Sequence, residues 1–155
     1  MSADKLLFLF DFNERALTRN CGGITHEESL VPPPAGNSIN WVLGHILANR
    51  SAVLGMLGET PLWGQADADV YEHGEDKFDV TKARRFESLL EDFKATQERI
   101  RSGIARLTPA SMEEFHSTED KRNRGDRLFF MQFHEAYHIG QIGLLRRLAG
   151  KPGAI

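Results

Sequence analysis

Met131-Gln132-Phe133-His134-Glu135-Ala136-Tyr137-His138-Ile139-Gly140-Gln141-Ile142-Gly143-Leu144-Leu145 is the stretch that decides how the chain reads. On a wheel advancing about 100° per residue, Met131, His134, His138, Gln141 and Leu145 share one narrow stripe, flanked by Phe130, Ile142 and Leu148. A strand would scatter them over two faces, whereas a helix gathers them on one. The spacing predicts a helix from about Gly125 to Ala149 with two imidazoles pointing inward. Gly150 is suited to close it, and Arg146 and Arg147 to face the negative end of its dipole.

Three further segments carry the same period. Leu6, Phe10, Asn13 and Leu17 mark a helix from about Ala3 to Arg19, ended by Gly22-Gly23, which puts the polar Asn13 on a core-facing stripe. Pro32, Pro33 and Pro34 interrupt the chain, and Asn37 or Ser38 then offers the N-cap of a second helix running to Gly58. Its apolar positions are Ile39, Val42, Leu43, Ile46, Val53, Leu54 and Leu57, with Trp41, His45, Asn49 and Ala52 along the margin of that face. Phe86, Leu89, Leu90, Phe93, Ile100, Ile104 and Leu107 belong to a third helix that starts near Thr81 and stops before Pro109. Thr60 to Val80, between the second and third helices, shows no sustained period; a connection this long reads as a lid or pocket wall. No segment alternates over strand length. The fold class expected is all-α, with a long connection between helices two and three, and the 155 residues suit a single domain over residues 1–155.

Composition excludes several classes of function. A formal net charge of -3 gives no broad positive field, so nucleic acid is not an expected partner. The basic residues near Lys121 to Arg127 and at Arg146, Arg147 and Lys151 read as solvated helix ends. The apolar run Leu6 to Phe10 is too short for a signal-peptide core or a membrane span, so the expected location is the cytoplasm, with no membrane. Cys21 is the one cysteine, which rules out an internal disulfide and a cysteine-based zinc cluster.

His134 and His138 stand four apart on a helix, a spacing that lets two imidazoles reach one divalent ion. A third histidine from a facing helix would leave positions open for water or substrate, and His45 is the best placed. The competing reading is a dense polar network that satisfies buried imidazoles without a metal. His134-Glu135-Ala136-Tyr137-His138 also fits the H-E-x-x-H pattern of zinc proteases. The extended metzincin pattern fails, because Gln141 and Leu144 stand where its glycine and third histidine belong. A thermolysin-like ligand is missing too, since no Asp or Glu follows His138. Glu135 is then an exposed acid or, as a weaker candidate, a catalytic base beside the site. Trp41 and Tyr137 read as core aromatics or pocket lining, and Asn49 as a donor to a bound water or substrate. His26, His73 and His116 read as surface residues.

Asn40-Trp41-Val42-Leu43-Gly44-His45-Ile46 and His134-Glu135-Ala136-Tyr137-His138-Ile139-Gly140-Gln141 together resemble the DinB/YfiT-like superfamily, which is unrelated to the DNA polymerase sharing the name DinB. Phe12-Asn13 and the long connection fit the same layout. The resemblance implies an up-down-down-up four-helix bundle and one divalent ion, commonly nickel or zinc, held by His45, His134 and His138. It also implies a thiol-dependent S-transferase, or a related transferase or hydrolase, acting on small electrophilic molecules with a low-molecular-weight thiol as cosubstrate. Asn13, Trp41, Asn49, Tyr137 and Gln141 are the expected surroundings of the site, and a homodimer is the expected assembly. The alternatives are a non-catalytic metal-binding bundle and a small-molecule sensor.

Overall fold

The computed structural model describes residues 2–72, 78–115 and 121–155. In chain order its elements are α1 (Ala3–Cys21), α2 (His26–Leu30), α3 (Ile39–Met56), α4 (Gln65–Asp69), a 3-10 turn (Val80–Lys82), α5 (Phe86–Ala105), α6 (Pro109–Met112) and α7 (Arg124–Leu148). Among the described residues there is no strand, only an isolated bridge between Phe115 and Asn123. The fold is all-helical.

Local chemistry sets most of the helix ends. The Ser38 hydroxyl accepts the Trp41 N–H at 3.3 Å, so α3 begins directly after the proline run. Asn123 caps α7 by accepting the Asp126 N–H at 2.8 Å. The third long helix starts later than its periodicity predicts. Ala83 and Arg85 are extended, with ψ of 130° and 134°, and the N–H of Phe86 is taken by His26 Nδ1 at 3.2 Å. His26 is therefore half-buried and structural rather than a surface residue.

The four long helices form a ring in which α1 and α3 each pack against both α5 and α7. Two apolar clusters fill it. One holds Ala16 and Leu17 of α1, Leu43 and Leu47 of α3, Phe86 and Phe93 of α5, and Ile139 and Ile142 of α7. The other holds Leu6 and Phe10, Val53 and Leu54, Ile100 and Ile104, and Leu128 from the same helices.

Between the two clusters each long helix contributes buried polar side chains: Asn13, Arg50, Thr96 with Gln97, and Gln132 with Glu135. Arg50, 1% exposed, stands at the centre. Its Nε donates to Glu135 Oε2 at 2.7 Å, and its Nη2 donates to Glu135 Oε1 at 3.0 Å and Gln97 Oε1 at 2.8 Å. Nη1 donates to the Phe93 carbonyl at 3.0 Å and to Thr96 Oγ1 at 3.1 Å. Asn13 completes the layer by donating to Glu135 Oε1 at 3.1 Å and to the Gln132 carbonyl at 3.2 Å. Among the described residues, no buried side-chain N or O atom lacks a hydrogen-bond partner.

These contacts correct the reading of α7. Its buried residues are Gly125, Leu128, Gln132, Glu135, His138, Ile139, Ile142 and Arg146, a row centred beside the stripe that hydropathy selects and sharing His138 with it. Glu135 is 4% exposed and ion-paired, not an exposed acid. Arg146 is not a solvated helix end, because it is buried and donates to the carbonyls of Asn20, Gly22 and Pro152. Phe130 and Leu148, expected at the core, are exposed, as are Phe129, Phe133 and Tyr137.

The connection between α3 and α5 is anchored along its described length. Trp63 Nε1 donates to Asp92 Oδ2 at 2.9 Å, and Tyr71 is fully buried. The Tyr71 hydroxyl accepts the Arg84 N–H at 2.8 Å and donates to Asn40 Oδ1 at 3.3 Å, and burial pushes its pKa up. Its ring packs against α3 at Gly44, where a Cβ would come within 2.5 Å of the ring. Cys21 is buried and free, and burial pushes its thiol up to about 12, so it remains an unreactive core residue.

Two outcomes follow for chemical denaturation. Arg50→Ala and Glu135→Ala should each cost about 3–5 kcal/mol, with the double variant costing far less than the sum, because each single change strands a buried charge. Additive losses would contradict a coupled pair. Gly44→Ala should cost about 1–3 kcal/mol by displacing the Tyr71 ring, and unchanged stability would show that the ring yields freely.

Candidate metal centre

α3 and α7 bring three imidazoles together. One potential ligand atom each from His45, His134 and His138 lies within 4.8 Å of the other two. His134 Nε2 and His138 Nε2 are 3.1 Å apart. Two imidazoles bound about 2.0–2.1 Å from one ion would hold their nitrogens at about 2.8–3.4 Å for bond angles between right-angled and tetrahedral, so this pair fits a common ion. The ring centroid of His45 is 4.7 Å from that of His138 and 5.3 Å from that of His134.

The orientation of the rings also suits ligation. His45 Nδ1 is 2.8 Å from the Tyr71 carbonyl oxygen, which can only accept. The proton therefore sits on Nδ1, and in the neutral ring Nε2 carries the lone pair. His138 Nδ1 makes the equivalent contact with Gln141 Oε1 at 2.7 Å. Such outer partners fix tautomer and ring angle and raise ligand basicity. Trp41 stacks on His45 with centroids 4.9 Å apart and planes 6° from parallel, holding the ring against rotation. Three neutral nitrogen donors, joined by no carboxylate among the described residues, suit zinc, nickel, copper or iron better than magnesium or calcium.

The other expected site residues divide. Trp41 and Gln141 touch the histidines directly. Tyr137 lies edge-on to His138 at 5.2 Å and is 58% exposed, so it belongs to the rim rather than the core. Asn49 is half-buried, its Nδ2 donating to the His45 carbonyl at 2.9 Å and standing 3.2 Å from His45 Nε2. Asn13 lies in the polar layer, where it holds Glu135. His73 and His116 lie outside the described residues.

Two residues important to this geometry escaped the sequence reading. Tyr71 sits in a connection without period, and only Gly44, a poor helix former in mid-helix, hints at something packed close. Arg50 occupies the row of Leu43, Ile46, Val53 and Leu57 on α3, and a charge on an apolar row is the signal that could have exposed it.

Clefts open on two sides of the cluster. One, of about 680 Å³, is lined by His45, Asn49, Ser51, Trp63, Gln65 and Glu72 among others. The second, of about 300 Å³, reaches His138 between the Pro33–Asn37 segment, the start of α3 and the second half of α7. None of the helices in the described residues is long and apolar enough to cross a membrane.

The chain resembles the crystal structure of a conserved protein from Enterococcus faecalis, with a TM-score of 0.77 over 97% of this chain and 99% of that one. At 17% identity this likeness speaks for the fold alone. No curated protein matches the sequence. Residues 9–142, which include all three clustered histidines and the whole polar layer, match the profile of the DinB superfamily. The chain belongs to the DinB superfamily.

Proposed function

We propose that the protein is a metal-dependent enzyme in which His45, His134 and His138 hold one divalent ion, zinc or nickel, and which joins a low-molecular-weight thiol to a small electrophile. The observation that carries this reading is the convergence of the three imidazole ligand atoms within 4.8 Å. A divalent ion held there supplies Lewis acidity, which lowers the pKa of a thiol or water beside it.

The rest of the chemistry follows from the chain's own groups. The Tyr71 carbonyl and Gln141 Oε1 orient two of the imidazoles, and Trp41 covers one face of His45. Glu135 has no base role, because its oxygens accept from Arg50 and Asn13 in the polar layer. Among the described residues, Glu72 is the one carboxylate lining either cleft. A site so poor in bases favours a nucleophile that ionises readily, and a thiol with a pKa of about 8.5 does so far more easily than water. The thiol proton leaves to solvent, the sulfur forms a bond to the electrophilic carbon, and the leaving group departs with its electron pair. The order in which each long helix meets the two apolar clusters supports an up-down-down-up course for the bundle.

Purified protein should contain close to one equivalent of zinc or nickel by mass spectrometry, and should consume thiol in the presence of 1-chloro-2,4-dinitrobenzene until a chelator is added. His45→Ala, His134→Ala and His138→Ala should each lose both properties. Metal content unchanged in all three variants would overturn the site, and bound metal without thiol consumption across a panel of electrophiles would overturn the enzyme reading. Gln141→Leu should weaken metal affinity by about 10–100-fold, while unaltered affinity would deny Gln141 an orienting role.

A further inference from the structure

The two clefts beside the histidines differ in chemistry. The larger one presents amides, a hydroxyl and the Glu72 carboxylate. Among the described residues, the smaller one has no Asp, Glu, Lys or Arg in its lining, which includes Pro33, Trp41, Tyr137, Gln141, Leu144 and Leu148. Its apolar wall is open to water, with Leu144 and Leu148 each 61% exposed. Besides Asn37, its polar lining includes a set that meets the cluster: Gln141 Oε1 contacts His138 Nδ1, and Gln141 Nε2 donates to the Tyr137 hydroxyl at 3.3 Å.

We propose that this smaller cleft binds the apolar body of an uncharged small molecule, aromatic or short aliphatic, with its polar end turned toward Gln141 and His138. The proposal deepens the metal-dependent reading and rests on it for the reaction, since a molecule seated this way would be the electrophile. Its volume of about 300 Å³ matches a small-molecule site rather than a peptide groove. Covering the exposed leucines supplies the hydrophobic gain. Among the described residues the lining offers no Asp, Glu, Lys or Arg as counter-charge, so without a bound metal the cleft discriminates against ions. Trp41 lines this cleft and also stacks on His45, which puts the bound molecule and the histidine cluster against the same indole.

Binding can be separated from chemistry with two fluorophores of closely related skeleton, neutral N-phenyl-1-naphthylamine and anionic 8-anilinonaphthalene-1-sulfonate, titrated into metal-loaded and chelator-treated protein. The neutral dye should bind one per chain in both forms, and the sulfonate about tenfold more weakly or worse in the chelator-treated form. Leu144→Glu, at an exposed helix position that folding tolerates, should weaken the neutral dye by about tenfold. Ala52→Glu, on the rim of the other cleft, should leave it unchanged. Equal binding of both dyes to chelator-treated protein, indifference to Leu144→Glu, or loss in Ala52→Glu alone would overturn the proposal. So would an absence of dye binding, whether the cleft is simply too shallow or is covered by a second copy that Leu144→Glu releases as monomer. Metal absent with the dye still bound would sink the metal reading and leave the cleft standing, whereas metal bound without dye would do the reverse.

Discussion

A guanidinium buried at the centre of a helical ring costs several kcal/mol in lost hydration unless every donor is met by an acceptor. Arg50 meets that condition through Glu135, Gln97, Thr96 and the Phe93 carbonyl, and Asn13 extends the set to the fourth long helix. The requirement is geometric as well as energetic. Apolar side chains tolerate a helix sliding or turning against its neighbour, but a two-pronged contact between Arg50 and Glu135 does not. The pair therefore fixes the register of α3 against α7, and the two apolar clusters fill the space on either side of it.

The histidine cluster depends on that register. Arg50 follows His45 on α3 within two turns, and Glu135 is the neighbour of His134 on α7. The contact that aligns Arg50 with Glu135 thus sets the distance across which three imidazoles must meet. The connection after α3 adds the last restraint, because Tyr71 packs into the space left by Gly44 and offers its carbonyl to His45. Core, connection and site form one chain of contacts, with the charged pair at its root.

Much of this was legible in the sequence where the deciding chemistry is local. The proline run, the Ser38 cap and the glycine pair after α1 each act within a few residues, so the long helices emerge with nearly their observed ends. The i, i+4 pair His134 and His138 is local for the same reason. The rotation of α7 was not legible, since Gln132, Glu135 and Arg146 are buried only because their partners lie on other helices, and hydropathy gives them to solvent. The start of α5 was misjudged because Tyr71 and His26 hold the backbone before it in an extended path. His45 as a third member of the cluster came from likeness to a family more than from spacing, and the structure supplies the physical reason through Gly44, Tyr71 and the α3–α7 register.

X-ray absorption at the metal edge of the loaded protein reads the ligands contributed by His45, His134 and His138 themselves. Three imidazole nitrogens are expected at about 2.0–2.1 Å with the multiple-scattering pattern of histidine, plus one or more exchangeable light atoms that change when thiol is added. A shell dominated by carboxylate oxygen, fewer than three histidine scatterers, or an absorber indifferent to thiol would contradict it.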